Sequence, residues 1–193
     1  MPFVFKRLAL FMSIAAGLAA DKPPAFHAPP VSSLPHRQTN GQVTIGAEPY
    51  TAGDKVKSAF GKLSPYQYGV LPVLVVIQND SSQTLRLKGM KAEYVGGNNR
   101  AEAIPPKDVR YVNGPRQPDV TPFPPKLRRG KNPLAAWEIE GRAFAAEMLP
   151  AGNSASGFFY FQTGLQHDST ILLSGITEAA TGRELLFFEV PLQ

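Results

Sequence analysis

Prolines and glycines divide the apolar stretches of this sequence into short pieces, and they constrain its fold more than any other feature. The chain of 193 residues contains 19 prolines and 17 glycines. Proline breaks a helix interior and cannot donate to a sheet ladder, while glycine weakens both structures, so long helices are disfavoured. Short strands joined by turns suit such a sequence better, and the length favours a single domain.

The first 20 residues show the three parts of a secretory signal. Lys6 and Arg7 precede an uncharged apolar run, residues 8–20, which ends in two alanines before Asp21. A membrane anchor is the alternative, but a spanning helix needs about 20 apolar residues, more than this run supplies. The pattern therefore predicts cleavage near residue 20 and export of the mature chain, without a transmembrane span, to the periplasm or out of the cell.

Composition excludes several kinds of chemistry. The chain has no cysteine, which rules out disulfides, a thiol nucleophile and a cysteine-based zinc site. Its formal net charge is +5, and loss of Lys6 and Arg7 with the signal would leave 18 basic and 15 acidic residues. Nucleic-acid binders usually concentrate basic residues on one face or stripe, so this balance predicts no nucleic-acid partner.

Residues 21–42 contain five prolines among small and polar residues and have no apolar periodicity. Such a composition predicts a disordered or polyproline-like tether. The folded domain is then expected to span residues 43–193.

Two helices are predicted within the domain. A short one covers residues 54–60, with Asp54 as its N-cap and Gly61 at its end. A longer one covers residues 132–149 and begins at Asn132, because asparagine caps helices and proline is favoured at the first helical position. Its apolar stripe consists of Leu134, Trp137, Gly141, Phe144 and Met148.

Strand patterns dominate the rest of the domain. The run 69–79 is almost entirely apolar and predicts a buried strand, with Pro72 near its start. An extra residue at 88–89 interrupts the next alternation and predicts a β-bulge. Three further strands are predicted at 154–163, 170–177 and 184–192. The fold class is therefore mainly β, an antiparallel β-sandwich with one inserted helix and one short helix.

Two segments carry a resemblance to a known group of proteins. The stretches GVLPVLVVIQNDSSQTLRL and MLPAGNSASGFFYFQTG pair an apolar strand ending in an Asn-polar turn with a Pro-x-Gly turn that leads into aromatic residues. In this they resemble exported bacterial immunoglobulin-like sandwich domains, over roughly residues 43–192. The resemblance implies an immunoglobulin-like sandwich and a binding or scaffold role, and it transfers no catalytic residue.

Catalytic motifs are missing from the sequence. It has neither of the glycine-rich phosphate-binding patterns, and residues 152–156 have serine where a nucleophile elbow needs its last glycine. Ser154 and Ser156 are therefore interpreted as ordinary strand residues. Asp168 and Glu178 flank a strand, but nothing in the spacing pairs either with a second carboxylate, as glycoside hydrolysis requires. We predict no catalytic residue.

No metal or cofactor site is predicted. His27, His36 and His167 are scattered and show no ligand spacing. A copper carrier would use soft ligands, but Met90 and Met148, the methionines left after signal removal, both lie on predicted core faces.

Two candidate contact sites remain. The cluster Lys126, Arg128, Arg129 and Lys131 would suit lipid headgroups, an acidic polysaccharide or an acidic protein, with plain solvated charge as the alternative. Tyr66 and Tyr68 could form an aromatic platform for a sugar or peptide, with cover for the end of the core as the alternative.

Asn79 begins a three-residue glycosylation sequon in a predicted turn, although sequons also occur by chance.

These features predict an exported, non-catalytic binding, adaptor or structural module of the bacterial cell envelope. Its expected partner is another envelope protein or a polysaccharide. The alternative is a sandwich that binds a carbohydrate or another small ligand, and a hydrolase is the third possibility.

Overall fold

A computed structural model describes residues 26–112, 132–185 and 187–193 of the chain. Its strands are β1 (His36–Asn40), β2 (Val43–Pro49), β3 (Leu71–Asn79), β4 (Leu85–Arg86), β5 (Lys91–Gly96), β6 (Asn99–Glu102), β7 (Met148–Leu149), β8 (Ser154–Phe161), β9 (Thr170–Ser174), β10 (Thr177–Glu178) and β11 (Phe188–Pro191). The α-helices are α1 (Gly53–Phe60) and α2 (Trp137–Gly141), and 3-10 helices cover Val31–Ser33, Pro65–Tyr68, Pro106–Tyr111 and Pro133–Ala135.

The strands form three antiparallel sheets, which confirms the mainly β sandwich. The central sheet has the order β1-β2-β3-β8, the short sheet the order β10-β4-β7, and the outer sheet the order β11-β9-β5-β6. The strand pairs within these sheets are antiparallel. Neighbours in the sheets are often distant in sequence, as where β3 pairs with β8.

The central sheet is buried on both faces. On one face, Val73, Val75 and Ile77 of β3 join the core shared with the short and outer sheets. On the other, Leu74 and Val76 pack in a second core against α1, α2 and the 3-10 helices. A strand covered on both faces needs apolar residues at successive positions, which explains the nearly continuous apolar run of β3.

The chain passes between the short sheet and the outer sheet at two neighbouring points. The chain passes from β4 to β5 near Gly89, and from β9 to β10 at Gly175, which has a φ of +76°. A Cβ at Gly175 would lie 2.4 Å from the Gly89 carbonyl oxygen. The β-bulge predicted at 88–89 is therefore wrong: a turn closed by the Met90 amide donating to the Leu87 carbonyl (2.9 Å) moves the chain between sheets.

The long helix predicted at 132–149 is wrong. Asn132 does cap, with its Oδ1 accepting from the Leu134 amide (3.0 Å), but the helix it starts is the 3-10 turn Pro133–Ala135. Only the five residues of α2 are α-helical, and Met148–Leu149 is the strand β7. Of the expected apolar stripe, Trp137 is 65% and Met148 47% exposed.

The reason for the short helix lies on β8. The Phe158 amide donates to the Arg142 carbonyl (2.9 Å), and the Phe144 amide donates to the Phe158 carbonyl (3.0 Å). An edge strand presents unpaired backbone groups, and residues 142–144 satisfy them instead of continuing a helix. Gly157 permits this approach, because a Cβ there would lie 2.3 Å from the Phe144 Cα.

The short helix predicted at 54–60 is confirmed as α1, which buries Val56, Ala59 and Phe60 and is followed by Gly61. Its capping differs from expectation. The N-cap residue is Ala52, which makes no side-chain cap hydrogen bond, and Asp54 lies in the first turn.

The tether predicted at residues 21–42 is wrong for the part that the structure describes. Residues 36–40 form β1, which pairs with β2 from His36↔Ala47 to Asn40↔Val43. Leu34 is buried and packs over Gly46, where a Cβ would approach Leu34 Cδ1 to 2.7 Å. All five residues of β1 are polar and none is fully buried, so its sequence shows no apolar alternation although its side chains alternate between half-buried and exposed. The sandwich therefore begins before residue 43.

The predicted signal, residues 1–20, lies outside the described residues. None of the helices in the described ranges has the length and apolar character needed to cross a bilayer.

Candidate functional site

The sequence-predicted candidate sites have different outcomes. Lys126, Arg128, Arg129 and Lys131 lie outside the described residues. Tyr66 and Tyr68 lie in the 3-10 helix Pro65–Tyr68 at the start of β3. Tyr66 is half-buried against the core and its Oη accepts from the Leu165 amide (3.1 Å), whereas Tyr68 is 38% exposed. Tyr66 thus holds a loop in place, and the two rings differ in their access to solvent.

The residues searched for chemistry are dispersed. His27 and His167 are exposed, and His36 is in β1. In residues 26–112, 132–185 and 187–193, no three His, Cys, Asp or Glu side chains lie close enough together to hold a metal ion. Ser154 and Ser156 are in β8, as their interpretation as strand residues predicted.

Asn79 is an internal structural residue. Its side chain is fully buried, and Nδ2 donates to the carbonyls of Gln83 (2.8 Å), Leu149 (3.1 Å) and Pro150 (3.1 Å). Because glycosylation requires a free side-chain amide nitrogen, the folded protein does not present this sequon to an enzyme. The hydrogen bonds join the end of β3 to the turn before β8.

A groove of about 690 Å³ is the main concave feature among the described residues. This volume falls in the usual range for ligand sites. The larger apolar residues that line it, all but one of them buried or half-buried, are Met90, Ile104, Phe144, Phe158, Phe159, Leu172 and Phe187. The exception is Phe187, which is 61% exposed.

A crossing of the chain between two sheets forms one wall of the groove. The Ala103 amide donates to the Ala92 carbonyl of β5 (3.0 Å), and the Ile104 amide then donates to the Tyr160 carbonyl of β8 (2.7 Å). Beyond this crossing, none of the described strands pairs with β5 on that side, and the groove lies there. The stacked rings of Phe144 and Phe159, 5.4 Å apart and inclined by 16°, contribute apolar surface there.

A row of three glutamates and a leucine crosses the outer sheet beside the groove. Strand register pairs Glu102 of β6 with Glu93 of β5, Glu93 with Leu172 of β9, and Leu172 with Glu189 of β11. Residues paired in this way have Cβ atoms about 4.5–5.5 Å apart, and like charges directly opposite each other are destabilising. Arg100 offsets part of this repulsion through an ion pair with Glu93 (3.0 Å). The row makes this side of the groove acidic.

A second depression of about 400 Å³ continues the groove past the crossing. The two share residues 102–105, and the second adds Asp108 and Tyr111. Tyr111 is 41% exposed. Each of the two depressions therefore has its own exposed aromatic ring, Phe187 in the larger and Tyr111 in the smaller.

The groups with shifted pKa values lie outside the groove lining. Burial, with a smaller effect of Glu48, raises the pKa of Tyr50 to about 12. Burial also raises the pKa of Tyr160, whose Oη donates to the Ile139 carbonyl (2.8 Å). Hydrogen bonds from Arg183 and Thr181 lower the pKa of Glu178. These shifts accompany structural contacts.

A second aromatic feature lies on the helical layer. The Arg142 guanidinium lies 5.2 Å from the Phe26 ring centroid and 5.7 Å from that of Trp137. Burial lowers the pKa of Arg142, and its Nε has no hydrogen-bond partner among the described residues. Trp137 lies against Gly141, where a Cβ would be 2.9 Å from the indole ring.

Sequence reasoning missed the groove, because its walls come from six separate segments of the chain. One signal was available. The strand predicted at 184–192 carries apolar residues at successive positions, and in the structure Phe188 and Val190 are buried whereas Phe187, just before β11, is exposed. A large exposed aromatic residue that adjoins other apolar side chains indicates a contact surface.

Comparisons with known proteins leave the family open. No protein-family model matches the sequence, and no curated protein matches it. A functionally unknown protein from Listeria monocytogenes is similar in structure, with 12% identity, coverage of 81% of this chain and 80% of that one, and a TM-score of 0.37. The secreted protein MPT63 from Mycobacterium tuberculosis has 14% identity, coverage of 83% and 95%, and a TM-score of 0.30. At these TM-scores both likenesses are distant.

Proposed function

We propose that this chain is an exported, non-catalytic binding module of the bacterial cell envelope and that the groove contacts its partner. The secretory pattern of residues 1–20 supports export. The partner is another envelope protein or a polysaccharide.

The observation that carries the proposal is the exposed Phe187 at a groove lined by half-buried apolar side chains. Covering a large apolar side chain is worth about 1.5–3 kcal/mol when it passes from fully exposed to fully buried. In the folded chain most of the Phe187 side chain remains exposed to water, so most of this free energy is not gained on folding. A partner that covers the ring recovers it, and aromatic anchors in pockets commonly dominate binding energy.

The groove is built on a stable frame, which favours recognition without rearrangement. Its walls belong to β5, β8 and β9 and to the crossing at 103–106, all of them joined by backbone hydrogen bonds. Rigid elements reduce the entropy lost on binding.

Site-specific crosslinking in the native envelope tests this proposal. A photoreactive phenylalanine analogue replaces Phe187 in tagged full-length protein, and matched variants carry it at Tyr68 or Trp137, which are also exposed aromatics. We expect one reproducible adduct from position 187 alone. The intact mass of the recovered chain should lack about 20 residues, in keeping with a cleaved signal.

Three results would contradict the proposal. The same adducts from all three positions would show that the contact is nonspecific. The absence of an adduct from position 187 would show that the groove does not contact the partner. An unprocessed chain in the cytoplasm would refute export.

A second candidate function is sugar binding, favoured by the exposure of Trp137. Its indole lies close to Gly141 and beside Arg142, and an exposed aromatic ring is a suitable stacking platform for a sugar ring. Trp137 is the one tryptophan of the chain, so its fluorescence reports directly on this surface. Saturable quenching by envelope oligosaccharides would support this function, and an unchanged spectrum would exclude it.

A further inference from the structure

We infer that the groove is selective for an extended, cationic peptide segment of a partner protein, in which apolar side chains alternate with lysine or arginine. This inference rests on the proposed function and names the chemistry of the partner at that same site. It follows from the charge of the groove and the placement of its exposed aromatic rings.

The charge of the lining is the first ground. Glu93, Glu102 and Glu189 line the groove and Asp108 lines its continuation, while Lys91 is the one basic residue among the described residues of either lining. The ion pairs between described residues occupy Glu93, through Arg100, and none of them includes Glu102, Asp108 or Glu189. Three carboxylates therefore face the groove without a basic partner from the described chain.

This local charge is opposite to that of the whole chain. The full sequence carries a net charge of +5, yet the described residues that line the groove and its continuation include four acidic side chains and one basic side chain. Complementary charge selects partners and increases association rates. Anionic polysaccharides and anionic lipid headgroups are repelled by such a surface, whereas a basic segment is attracted.

The placement of two exposed rings is the second ground. Phe187 lines only the larger cavity and Tyr111 only the smaller, and the two cavities share residues 102–105. An extended peptide places alternate side chains on one side, so it can set apolar residues against both rings and basic residues against the carboxylates. A compact small molecule would occupy one half only.

Peptide probes of defined charge test the inference on the full processed chain. Three fluorescein-labelled 12-residue peptides share leucine and phenylalanine at alternate positions and carry lysine, glutamine or glutamate at the others. Fluorescence anisotropy is measured at low and at moderate salt. We expect the lysine peptide to bind about 10-fold or more tighter than the glutamine peptide at low salt, and the glutamate peptide to bind weakest.

Two sets of variants locate the effect. Glu102→Gln with Glu189→Gln should weaken the lysine peptide about 5–10-fold and leave the glutamine peptide unchanged. The matched control Asp54→Asn with Asp168→Asn removes two exposed carboxylates outside the groove lining and should change neither affinity. Phe187→Ala should weaken the lysine and glutamine peptides alike, because both use the aromatic anchor.

The inference would be overturned if the lysine and glutamine peptides bound equally well. It would also be overturned if Asp54→Asn with Asp168→Asn weakened binding of the lysine peptide as much as Glu102→Gln with Glu189→Gln does. Either result would leave the proposed function intact. Failure of all three peptides would overturn it as well, and crosslinking at position 187 then decides separately whether the groove is a binding site. Sedimentation of the protein alone should show a monomer. A dimer that Glu102→Gln with Glu189→Gln dissociates would assign the groove to a second copy and refute the inference.

Discussion

Asn79 shows how one buried polar side chain organises several loops of this protein. Its amide nitrogen donates to three backbone carbonyls, and its oxygen accepts from the amide and the hydroxyl of Ser81. Buried carbonyls need such partners, because an unsatisfied polar group costs about 1–3 kcal/mol. The side chain thus closes the turn after β3 and holds the strand β7 next to it.

Replacing Asn79 by aspartate should destabilise the fold although the shape is retained. The substitution turns the donor of three hydrogen bonds into an acceptor facing three carbonyl oxygens, and we expect a loss of about 3 kcal/mol or more in the free energy of unfolding. Urea denaturation measures it. The control Asp80→Asn alters the exposed neighbour and should change stability by less than about 0.5 kcal/mol. A stable Asn79→Asp variant would contradict this role.

Tyr50 gives the fold a dependence on alkaline pH. Its ring packs edge-on against Phe158, with centroids 5.0 Å apart, and burial raises its pKa to about 12. A raised pKa means that the stabilising contribution is complete below the unfolded pKa of about 10 and is lost as the pH rises from there to about 12.

Tyr50→Phe should therefore make stability less sensitive to pH in that window. We expect the free energy of unfolding of the wild type to fall more steeply between pH 10 and 12 than that of the variant, with a constant difference below pH 9. Tyr160 is present in both proteins and cancels from the comparison. Equal slopes for Tyr50→Phe and wild type would contradict this role of Tyr50.

Among the secondary-structure elements, the paired bend at Gly89 and Gly175 determines how the outer and short sheets join. The two backbones approach so closely at this point that a side chain on Gly175 would meet the Gly89 carbonyl. The positive φ of Gly175 adds a second reason for glycine, since L-residues rarely adopt it. Two independent constraints therefore act on one residue.

Gly175→Ala and Gly152→Ala separate these constraints. Gly152 has a similar φ of +73° but has no atom within 4 Å of an added Cβ, so its substitution should cost only the backbone strain, about 1–2 kcal/mol. Gly175→Ala adds the clash and should cost about 3–4 kcal/mol. Denaturant unfolding of both variants gives the difference directly, and equal losses would show that the close approach is relieved by small shifts.

At the scale of the whole molecule, the central sheet joins two cores into one cooperative unit. Leu71 and Leu74 lie on the same strand and are fully buried on opposite faces, Leu71 against the outer and short sheets and Leu74 against the helical layer. A sheet that belongs to both cores cannot lose one layer without exposing apolar surface. The layers should therefore unfold together.

Leu71→Ala and Leu74→Ala test this cooperativity. Each should lower the free energy of unfolding by about 2–5 kcal/mol while keeping one transition. Trp137, on the helical layer, reports by fluorescence, and far-UV circular dichroism reports on the strands. The two signals should change together in both variants. Earlier loss of the tryptophan signal in Leu74→Ala would show that the helical layer unfolds separately.

The sequence by itself determined the mainly β class, the buried strand β3 and the helix α1, because apolar periodicity and glycine or proline punctuation act over a few residues. Only the tertiary structure decided what residues 26–42 and 132–149 become. β1 is a polar strand that pairs with β2, and the apolar residues of the other strands stabilise their sheet. Residues 142–144 form backbone hydrogen bonds with Phe158 of β8. The groove likewise depends on segments far apart in the chain, from residue 90 to residue 189. Its acidic row arises from strand register, which no local pattern encodes.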